Sequence, residues 1–285
     1  MPLRGRKGDV VMPGDRRTFL GLAATSLAAR ALGAGGVIAD LWAGSPGRRV
    51  GAPNAVLRLK AVAFDAFPVF SPASVVSRAE ELFPTRGAVL TDEWRLRQFE
   101  YAWLRLLSGR YADFWQVTQD ALVFAARKLK LDLDSAKRAA LMDTFLDLVP
   151  WPDVVPALDS LAKSGLRLAF LSNFTARMLE SNLERSGLSA RFDRVLSTDR
   201  ARTYKPDPRA YSLGTEALGL GREEILFVAH AGWDAAGAKA FGYPTFWVNR
   251  TDLPQEELGA PPDAVGRDLS DLVGFVDRLA ARGGR

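Results

Sequence analysis

Five short, largely apolar runs constrain the fold of this chain more than any other feature. Each has the length of a buried strand, and amphipathic helical stretches separate the last four. Strands that alternate with helices are typical of a parallel sheet with helices on both faces. We therefore predict an α/β, Rossmann-like core whose strands are Leu59–Phe64, Leu166–Leu171, Arg194–Ser197, Ile225–Ala229 and Thr245–Val248.

A long segment with only helical patterns, 71–156, lies between the first and second predicted strands. Its stretch "WRLRQFEYAWLRLL", which begins at Trp94, carries apolar residues on more than one side, so this helix is expected to be buried on more than one face. Open α/β sheets bind their ligands at the carboxyl ends of the strands. We predict that 71–156 forms an all-helical cap over that edge, with 59–70 and 157–285 as the Rossmann-like core.

The positive charge of the chain is concentrated at its N-terminus. The formal net charge is +5, and residues 1–39 hold six basic and two acidic side chains, so the remainder is nearly neutral. A nucleic-acid-binding surface needs a basic patch on the folded part of a protein. We therefore expect no nucleic acid among the partners.

The N-terminal segment 1–39 resembles a twin-arginine export signal, because Arg16 and Arg17 directly precede a small, weakly apolar stretch. The alternative is a basic amphipathic helix with no targeting role. A Gly/Pro/Arg-rich linker is expected at 40–58. We expect the twin-arginine export machinery to deliver the protein to the periplasm, where an uncleaved signal would anchor it in the inner membrane. The absence of cysteine is compatible with an oxidising compartment.

Polar side chains follow four of the predicted strands. Asp65 follows the first and Ser172 and Asn173 follow the second, while Lys205 lies in "TYKPDP" after the third and Asp234 in "HAGWDAAG" after the fourth. Taken singly, each has an ordinary explanation as a helix cap or turn residue. Together they supply a nucleophilic carboxylate, groups that hold its ligand, a lysine that keeps carboxylates ionised and a second carboxylate for water. That is a complete set for covalent hydrolysis.

This order of residues resembles the haloacid dehalogenase superfamily, and within it the (S)-2-haloacid dehalogenase branch. The likeness extends from Leu59 to Arg250 and includes the cap stretch "WRLRQFEYAWLRLLSGRYADFWQVTQDAL" and the closing stretch "FVAHAGWDAAGAKAFGYPTFWVNR". The resemblance implies that Asp65 attacks carbon 2 of a 2-haloacid and expels halide. Water then cleaves the resulting ester.

The resemblance also implies roles for the other candidates. Arg95 would receive the leaving halide or steer the substrate, Lys205 would lie against Asp65, and Asp234 would activate the water. The aromatic neighbours either exclude water from the carboxylate or are simply core. The implied substrate-binding residues are Phe67, Ser172, Asn173, Tyr211 and Trp233.

The chain departs from the phosphatases of the same superfamily. They resemble it in fold but use a second aspartate two positions after the nucleophile, where this chain has Phe67, and several carboxylates near the last motif, where Asp234 stands alone. Phosphoryl transfer without a metal or an acid would lack the charge stabilisation that it requires, whereas halide leaves unprotonated. We therefore expect no metal and no other cofactor.

Three supporting positions that are polar in the dehalogenase branch are apolar here. Val69 follows Pro68 where a threonine hydroxyl is expected, and Ala229 and Ala231 stand where serine and asparagine are expected. His230, the only histidine, is either a new acid or base or a structural residue.

The leading hypothesis is an exported, metal-independent hydrolase that dehalogenates small (S)-2-haloacids. The alternative is a non-catalytic or altered family member that binds a small carboxylate through Ser172, Asn173 and Lys205, and a phosphatase is a third class. The expected partners are a small 2-haloacid or related carboxylate, the export machinery and a second copy of the chain in a homodimer.

Overall fold

The structure, a computed structural model, describes residues 59–283. The export signal predicted at 1–39 and the linker predicted at 40–58 lie outside the described residues. No helix within 59–283 combines the length and the apolarity that a membrane span requires.

Strands and helices alternate along most of the described chain. The strands are β1 (Ala61–Phe64), β2 (Phe70–Ser71), β3 (Val149–Pro150), β4 (Arg167–Ser172), β5 (Arg194–Ser197), β6 (Ile225–Ala229), β7 (Thr245–Val248) and β8 (Ala264–Gly266). The helices are α1 (Ala66–Val69), α2 (Ala73–Leu82), α3 (Gly87–Leu107), α4 (Phe114–Lys128), α5 (Ser135–Asp143), α6 (Val154–Lys163), α7 (Ala176–Ser186), α8 (Pro208–Leu218), α9 (Gly232–Phe241) and α10 (Leu269–Gly283).

Six strands form one parallel sheet in the order β5-β4-β1-β6-β7-β8, which confirms the predicted fold class. β1 is central, and its Ala63 pairs with Ala169 on one side and Phe227 on the other. The chain continues from β1 to one side of the sheet and later returns to the other side, so a crevice opens at the carboxyl end of β1. The sequence did not predict β8, whose three residues are only partly buried.

Alternate residues of the central strand face opposite sides of the sheet. Val62 and Phe64 belong to the larger core, together with residues of α6, α7, α10 and the cap. Ala61 and Ala63 belong to the smaller core under α8 and α9. All four strand residues are fully buried, which explains why this strand is apolar throughout its length.

The helices α2 to α5 form the cap, and α3 packs against both α2 and α4. The buried residues of α3 recur every three or four positions on the face toward these neighbours. Phe99 and Trp103 are partly buried on a second side, against Trp233, so the helix is buried on more than one face as expected. Gly87 permits the close approach of α2, because a Cβ at this position would lie 2.3 Å from the Glu80 nitrogen.

A two-stranded antiparallel ladder, β2 with β3, lies where the chain leaves the core for the cap and returns from it. α6 begins at Val154, inside the segment predicted as cap, yet it packs against β4 and α10 of the core. The paired β2 and β3 therefore hold the two ends of the cap segment together at the edge of the crevice.

Candidate active site

Asp65 lies at the carboxyl end of the central strand. Its N–H donates to the Val228 carbonyl at 3.0 Å, which continues the pairing of β1 with β6 by one residue. The side chain caps α1, and only 14% of it is exposed. Oδ1 accepts hydrogen bonds from Ser172 Oγ at 2.9 Å and from Lys205 Nζ at 3.0 Å, whereas Oδ2 accepts a longer one, 3.4 Å, from Phe67 N. Oδ2 therefore accepts fewer and longer hydrogen bonds than Oδ1.

Lys205 joins two carboxylates that are distant in sequence. Its Nζ lies 3.0 Å from Asp65 Oδ1 and 2.7 Å from Asp234 Oδ2, and its side chain is 1% exposed. Burial lowers the pKa of Lys205, but the attraction of Asp234 and Asp65 outweighs burial and leaves the pKa above its ordinary value. Lys205 is therefore a permanent cation between the two acids.

Asp234 lies in the first turn of α9 and is buried. Tyr211 donates its hydroxyl to Oδ1 at 2.7 Å, while Lys205 occupies Oδ2. Burial raises the pKa of Asp234 to about 6 despite the opposing effect of Lys205. Tyr211 was expected among the substrate-binding residues, but it does not line the cavity at Asp65. It is fully buried behind Asp234 and acts on the site through that carboxylate.

The two carboxylates have opposite electrostatic environments. Burial raises the pKa of Asp65, but Lys205 and the Ser172 hydroxyl together lower it by more, so the pKa lies below its ordinary value. Asp65 is therefore ionised across the neutral range, whereas Asp234 exchanges a proton closer to neutrality. Separation of this kind divides a nucleophile from a base.

Ser172 and Asn173 end β4 and the turn after it. The single hydroxyl proton of Ser172 is donated to Asp65, and its oxygen accepts from Phe174 N at 3.3 Å. Asn173 Oδ1 accepts from Lys205 N at 3.0 Å and from Thr198 Oγ1 at 3.2 Å. These bonds orient the amide so that its Nδ2 is the donor available to a ligand. Ser172 thus positions Asp65, and only Asn173 retains a donor for a substrate carboxylate.

Two adjoining cavities lie beside Asp65. The inner chamber has a volume of about 20 Å³, and the outer chamber has a volume of about 110 Å³. Phe67, Arg95 and His230 line both, so they form the boundary between the chambers. The other residues of the inner chamber are Asp65, Phe99, Phe114, Ser172, Asn173, Phe174, Ala231, Trp233 and Asp234.

Aromatic rings form much of the wall of the inner chamber. Phe67 packs edge-on against Phe174 with ring centres 5.3 Å apart, and Phe99 packs against Trp233 at 5.2 Å. Phe67 and Trp233 thus line the chamber in the position expected for substrate-binding residues. Phe174 was not predicted, although it directly follows the Ser-Asn pair and its position was the available signal.

Arg95 projects from α3 of the cap toward both chambers. Burial lowers its pKa, and the attraction of Asp65 and Asp92 opposes that effect. Part of the residue is exposed at the rim, whereas its guanidinium is largely removed from water. A cation at this boundary and close to Asp65 is well placed to meet a halide or a carboxylate.

His230 contributes an imidazole at the boundary between the chambers. Its Nδ1 is buried without a hydrogen-bond partner among the described residues. Burial and the nearby Arg95 lower the pKa of His230 to about 4, so the ring is neutral at pH 7. A group this reluctant to accept a proton is a weak general base. Of the two interpretations left open by the sequence, the geometry disfavours a base.

The two alanines on either side of His230 differ in position. Ala231 lines the inner chamber and precedes α9 without a side-chain cap. Ala229 ends β6, is fully buried in the smaller core, and does not line the chamber. The polar side chain missing from the chamber wall is therefore the one at position 231.

Long-range hydrogen bonds from tryptophans support the catalytic loops. Trp103 of the cap donates Nε1 to the Lys205 carbonyl at 3.0 Å, and Trp151 donates Nε1 to the Phe67 carbonyl at 3.0 Å. Arg250 also holds the first loop, donating to the Pro68 carbonyl at 3.2 Å. The sequence did not predict these contacts, because no local pattern indicates which distant carbonyl a side chain donates to.

Chemically, the site combines an ionised carboxylate, a second carboxylate with a raised pKa, a fixed cation and a second cation at the rim. Within residues 59–283 no three Asp, Glu, His or Cys side chains are grouped so that they could hold a metal ion. The groups that are present can perform a displacement at carbon followed by hydrolysis of an ester.

Comparisons with known sequences place the chain among hydrolases. The family model for haloacid dehalogenase-like hydrolases matches residues 59–242. The (S)-2-haloacid dehalogenase of Pseudomonas sp. (strain YL) is 46% identical over 225 residues, which cover 79% of this chain and 97% of the relative. Haloacetate dehalogenase H-2 of Moraxella sp. (strain B) is 42% identical over 220 residues, covering 77% and 98%.

Solved structures share the architecture. The crystal structure of an L-2-haloacid dehalogenase has a TM-score of 0.76 and 44% identity, covering 77% of this chain and 99% of that chain. The L-2-haloacid dehalogenase of Xanthobacter autotrophicus with chloropropionic acid covalently bound has a TM-score of 0.72 and 37% identity, covering 77% and 98%. These likenesses confirm the resemblance that the sequence indicates.

Proposed function

The chain belongs to the haloacid dehalogenase-like hydrolase family, and on this premise we propose that it converts small (S)-2-haloacids into 2-hydroxy acids. The observation that carries the proposal is the environment of Asp65. Its carboxylate is ionised, largely buried and faces a chamber with aromatic walls, and Oδ2 accepts only one long hydrogen bond, from Phe67 N. A carboxylate stripped of water is a stronger nucleophile, and halide leaves without needing a proton.

In the first step, Oδ2 of Asp65 attacks C2 of the substrate in line with the carbon–halogen bond. The new C–O bond forms as the carbon–halogen bond breaks, and halide leaves with the bonding pair, so C2 is inverted. Arg95 receives the halide at the chamber boundary. Asn173 donates Nδ2 to the substrate carboxylate, while Ser172 and Lys205 hold Asp65 Oδ1 in place.

In the second step, water attacks Cγ of the Asp65 ester while Asp234 takes its proton. The bond from Cγ to the ester oxygen then breaks, and Asp234 returns the proton to the departing oxygen, which releases the 2-hydroxy acid. The Asp65 carboxyl group formed in this way loses its remaining proton to solvent and becomes a carboxylate again. Lys205 remains beside both carboxylates throughout and stabilises the negative charge that develops on the ester carbonyl.

Halide release from (S)-2-chloropropionate tests this function, and its pH dependence tests the role of Asp234. Because a protonated Asp234 cannot accept a proton, turnover should fall roughly tenfold per pH unit below about 6. The folded protein binds this extra proton more tightly than the unfolded chain, so protonation of Asp234 stabilises the fold as the pH falls toward 4. Circular dichroism in parallel should therefore show intact structure while turnover falls, whereas constant turnover down to pH 5 would exclude Asp234 as the base.

The alternative, a family member that binds a small carboxylate without turnover, is favoured by the apolar Val69, Ala229 and Ala231. It predicts saturable binding of 2-chloropropionate with no halide released, even in stoichiometric amounts. Release of one equivalent of halide per protein would exclude it.

Export by the twin-arginine machinery to the periplasm is part of the proposal and rests on the sequence of residues 1–39. Replacement of Arg16 and Arg17 by lysine should abolish export, because the pair is the signal that the machinery reads. The matched control replaces Arg4 and Arg6 by lysine and should be exported normally. Cell fractionation measures both proteins, and periplasmic accumulation of the Arg16→Lys, Arg17→Lys protein would contradict the assignment.

A homodimer is likewise proposed. Support comes from α3, which exposes Val89, Leu96, Leu104 and Leu107 on one side. Sedimentation equilibrium that found a monomer would contradict it.

A further inference from the structure

The outer chamber is a cavity that the proposed reaction does not use. It has a volume of about 110 Å³ and adjoins the inner chamber through Phe67, Arg95 and His230. Cap residues and the loop before α2 supply most of the remaining wall. They are Pro72, Val75, Val76, Thr91, Asp92, Trp94, Gln98 and Phe145.

The inner chamber alone is too small for a substrate with a long substituent. Its volume of about 20 Å³ is roughly the space that one water molecule occupies. With the reacting atoms of the substrate at Asp65, the outer chamber is the larger of the two spaces beside the site and the one that offers room for further carbons. Any chain beyond C2 must therefore pass the boundary into the outer chamber.

The wall of the outer chamber presents mainly carbon. Val75 and Phe145 are buried apolar residues. Trp94 donates its indole N–H to the Thr118 carbonyl at 2.7 Å, and Gln98 donates Nε2 to Thr118 Oγ1 at 2.6 Å. Both donors are therefore occupied, and the Trp94 ring contributes apolar surface to the chamber.

Charge at the rim selects against an acidic substituent. Asp92 is exposed and lines the outer chamber, and it lies within electrostatic reach of Arg95. Arg95 takes the halide in the proposed reaction and does not balance a second carboxylate on the substrate, which Asp92 would repel. The chamber therefore suits an uncharged apolar chain.

We propose that the outer chamber binds the C2 substituent of the substrate, and that the preferred substrates are 2-haloacids with an unbranched alkyl substituent of roughly three or four carbons. The length follows from comparison with an apolar cavity of about 150 Å³, which holds benzene. The inference rests on the proposed function, because it assumes that C2 lies at Asp65.

The test measures kcat/KM for 2-bromopropionate, 2-bromobutyrate, 2-bromopentanoate and 2-bromohexanoate. Each added methylene should raise kcat/KM about fourfold, the gain from burying one methylene group. The gain should appear in KM while kcat stays similar, because the chain binds equally in the ground and transition states.

A matched pair of variants tests whether the chain-length preference arises in the outer chamber. Val76→Phe narrows the outer chamber, since Val76 lies in its wall with 40% exposure. It should lower the ratio of kcat/KM for 2-bromohexanoate to kcat/KM for 2-bromopropionate at least tenfold. Val155→Phe is the control, because Val155 is similarly exposed at 41% but lines neither chamber, and it should keep the ratio.

A binding measurement that needs no turnover distinguishes this inference from the proposed reaction. Hexanoate should bind the unmodified protein more tightly than propionate in calorimetry, whether or not the protein releases halide. A flat or falling chain-length series, or a ratio that survives Val76→Phe, would overturn the inference and identify the chamber as a solvent entrance. Equal affinities for hexanoate and propionate would overturn it as well. No halide from any member, with hexanoate still preferred, would contradict the proposed reaction alone.

Discussion

Asp65→Asn is expected to reduce halide release by roughly 10⁴- to 10⁶-fold, the loss seen when a covalent nucleophile is removed from a hydrolase. The amide has the size of the carboxylate and keeps an oxygen that can accept from Ser172 and Lys205, but it cannot displace halide. Asparagine caps helices as well as aspartate does, so α1 should persist. Halide release under saturating 2-chloropropionate measures the loss.

Asp134→Asn is the matched control for this substitution. Asp134 also caps a helix, α5, where it accepts from Lys137 N at 2.8 Å, but it is exposed on the cap and lines neither chamber. It should retain full activity. Substantial turnover by Asp65→Asn, with the control unaffected, would show that Asp65 is not the attacking group.

The second large effect concerns hydrolysis of the ester. Displacement depends on Asp65, Arg95 and the aromatic chamber, and all of them are in place. Hydrolysis needs water held in one orientation, and Ala231 offers no polar group to hold it. Loss of one preorganised hydrogen-bonding group slows a step by roughly 10²- to 10³-fold. We therefore expect a burst of about one equivalent of halide per protein, followed by slow turnover, with an adduct visible by intact mass after acid quench.

Restoring the side chain tests this explanation. Ala231→Asn should shorten the lifetime of the adduct by at least tenfold, because asparagine would face the inner chamber. Ala229→Ser, in the smaller core, should shorten it less. Fast steady turnover of the unmodified protein with no adduct would contradict the explanation and show that other groups orient the water.

His230 does not replace the polar group that is missing at position 231. A base with a pKa of about 4 takes a proton from water less readily than Asp234, whose pKa is about 6. Its unpartnered Nδ1 offers a water molecule one hydrogen bond, whereas an asparagine at position 231 would offer both a donor and an acceptor.

The sequence predicted the sheet and the convergence of the polar residues for a simple physical reason. A wholly buried parallel strand is recognisable from its own residues, and the carboxyl ends of parallel strands meet at one edge. Asp65 and Lys205, 140 positions apart, therefore lie 3.0 Å apart in the structure. The family resemblance added the roles, which composition and spacing alone do not contain.

The sequence did not reveal which way individual side chains point. The sequence predicts Tyr211 and Ala229 beside the active site, yet both side chains lie in the smaller core. The sequence also predicts that Ser172 binds the substrate, whereas its one hydroxyl proton is donated to Asp65. Trp103 reaches the Lys205 carbonyl only because the cap closes over the sheet. Orientation of this kind depends on packing between distant segments, so no local pattern reports it.

A single turnover in water enriched in oxygen-18, with protein in excess over 2-chloropropionate, tests the ester at Asp65 most directly. If Asp65 attacks C2, the hydroxyl oxygen of the first product comes from the carboxylate, and the label enters the peptide that contains Asp65. The expected result is an unlabelled 2-hydroxy acid and a labelled Asp65 peptide by mass spectrometry. A labelled hydroxyl in the first product, with an unlabelled peptide, would show that water attacks C2 directly and would contradict the account.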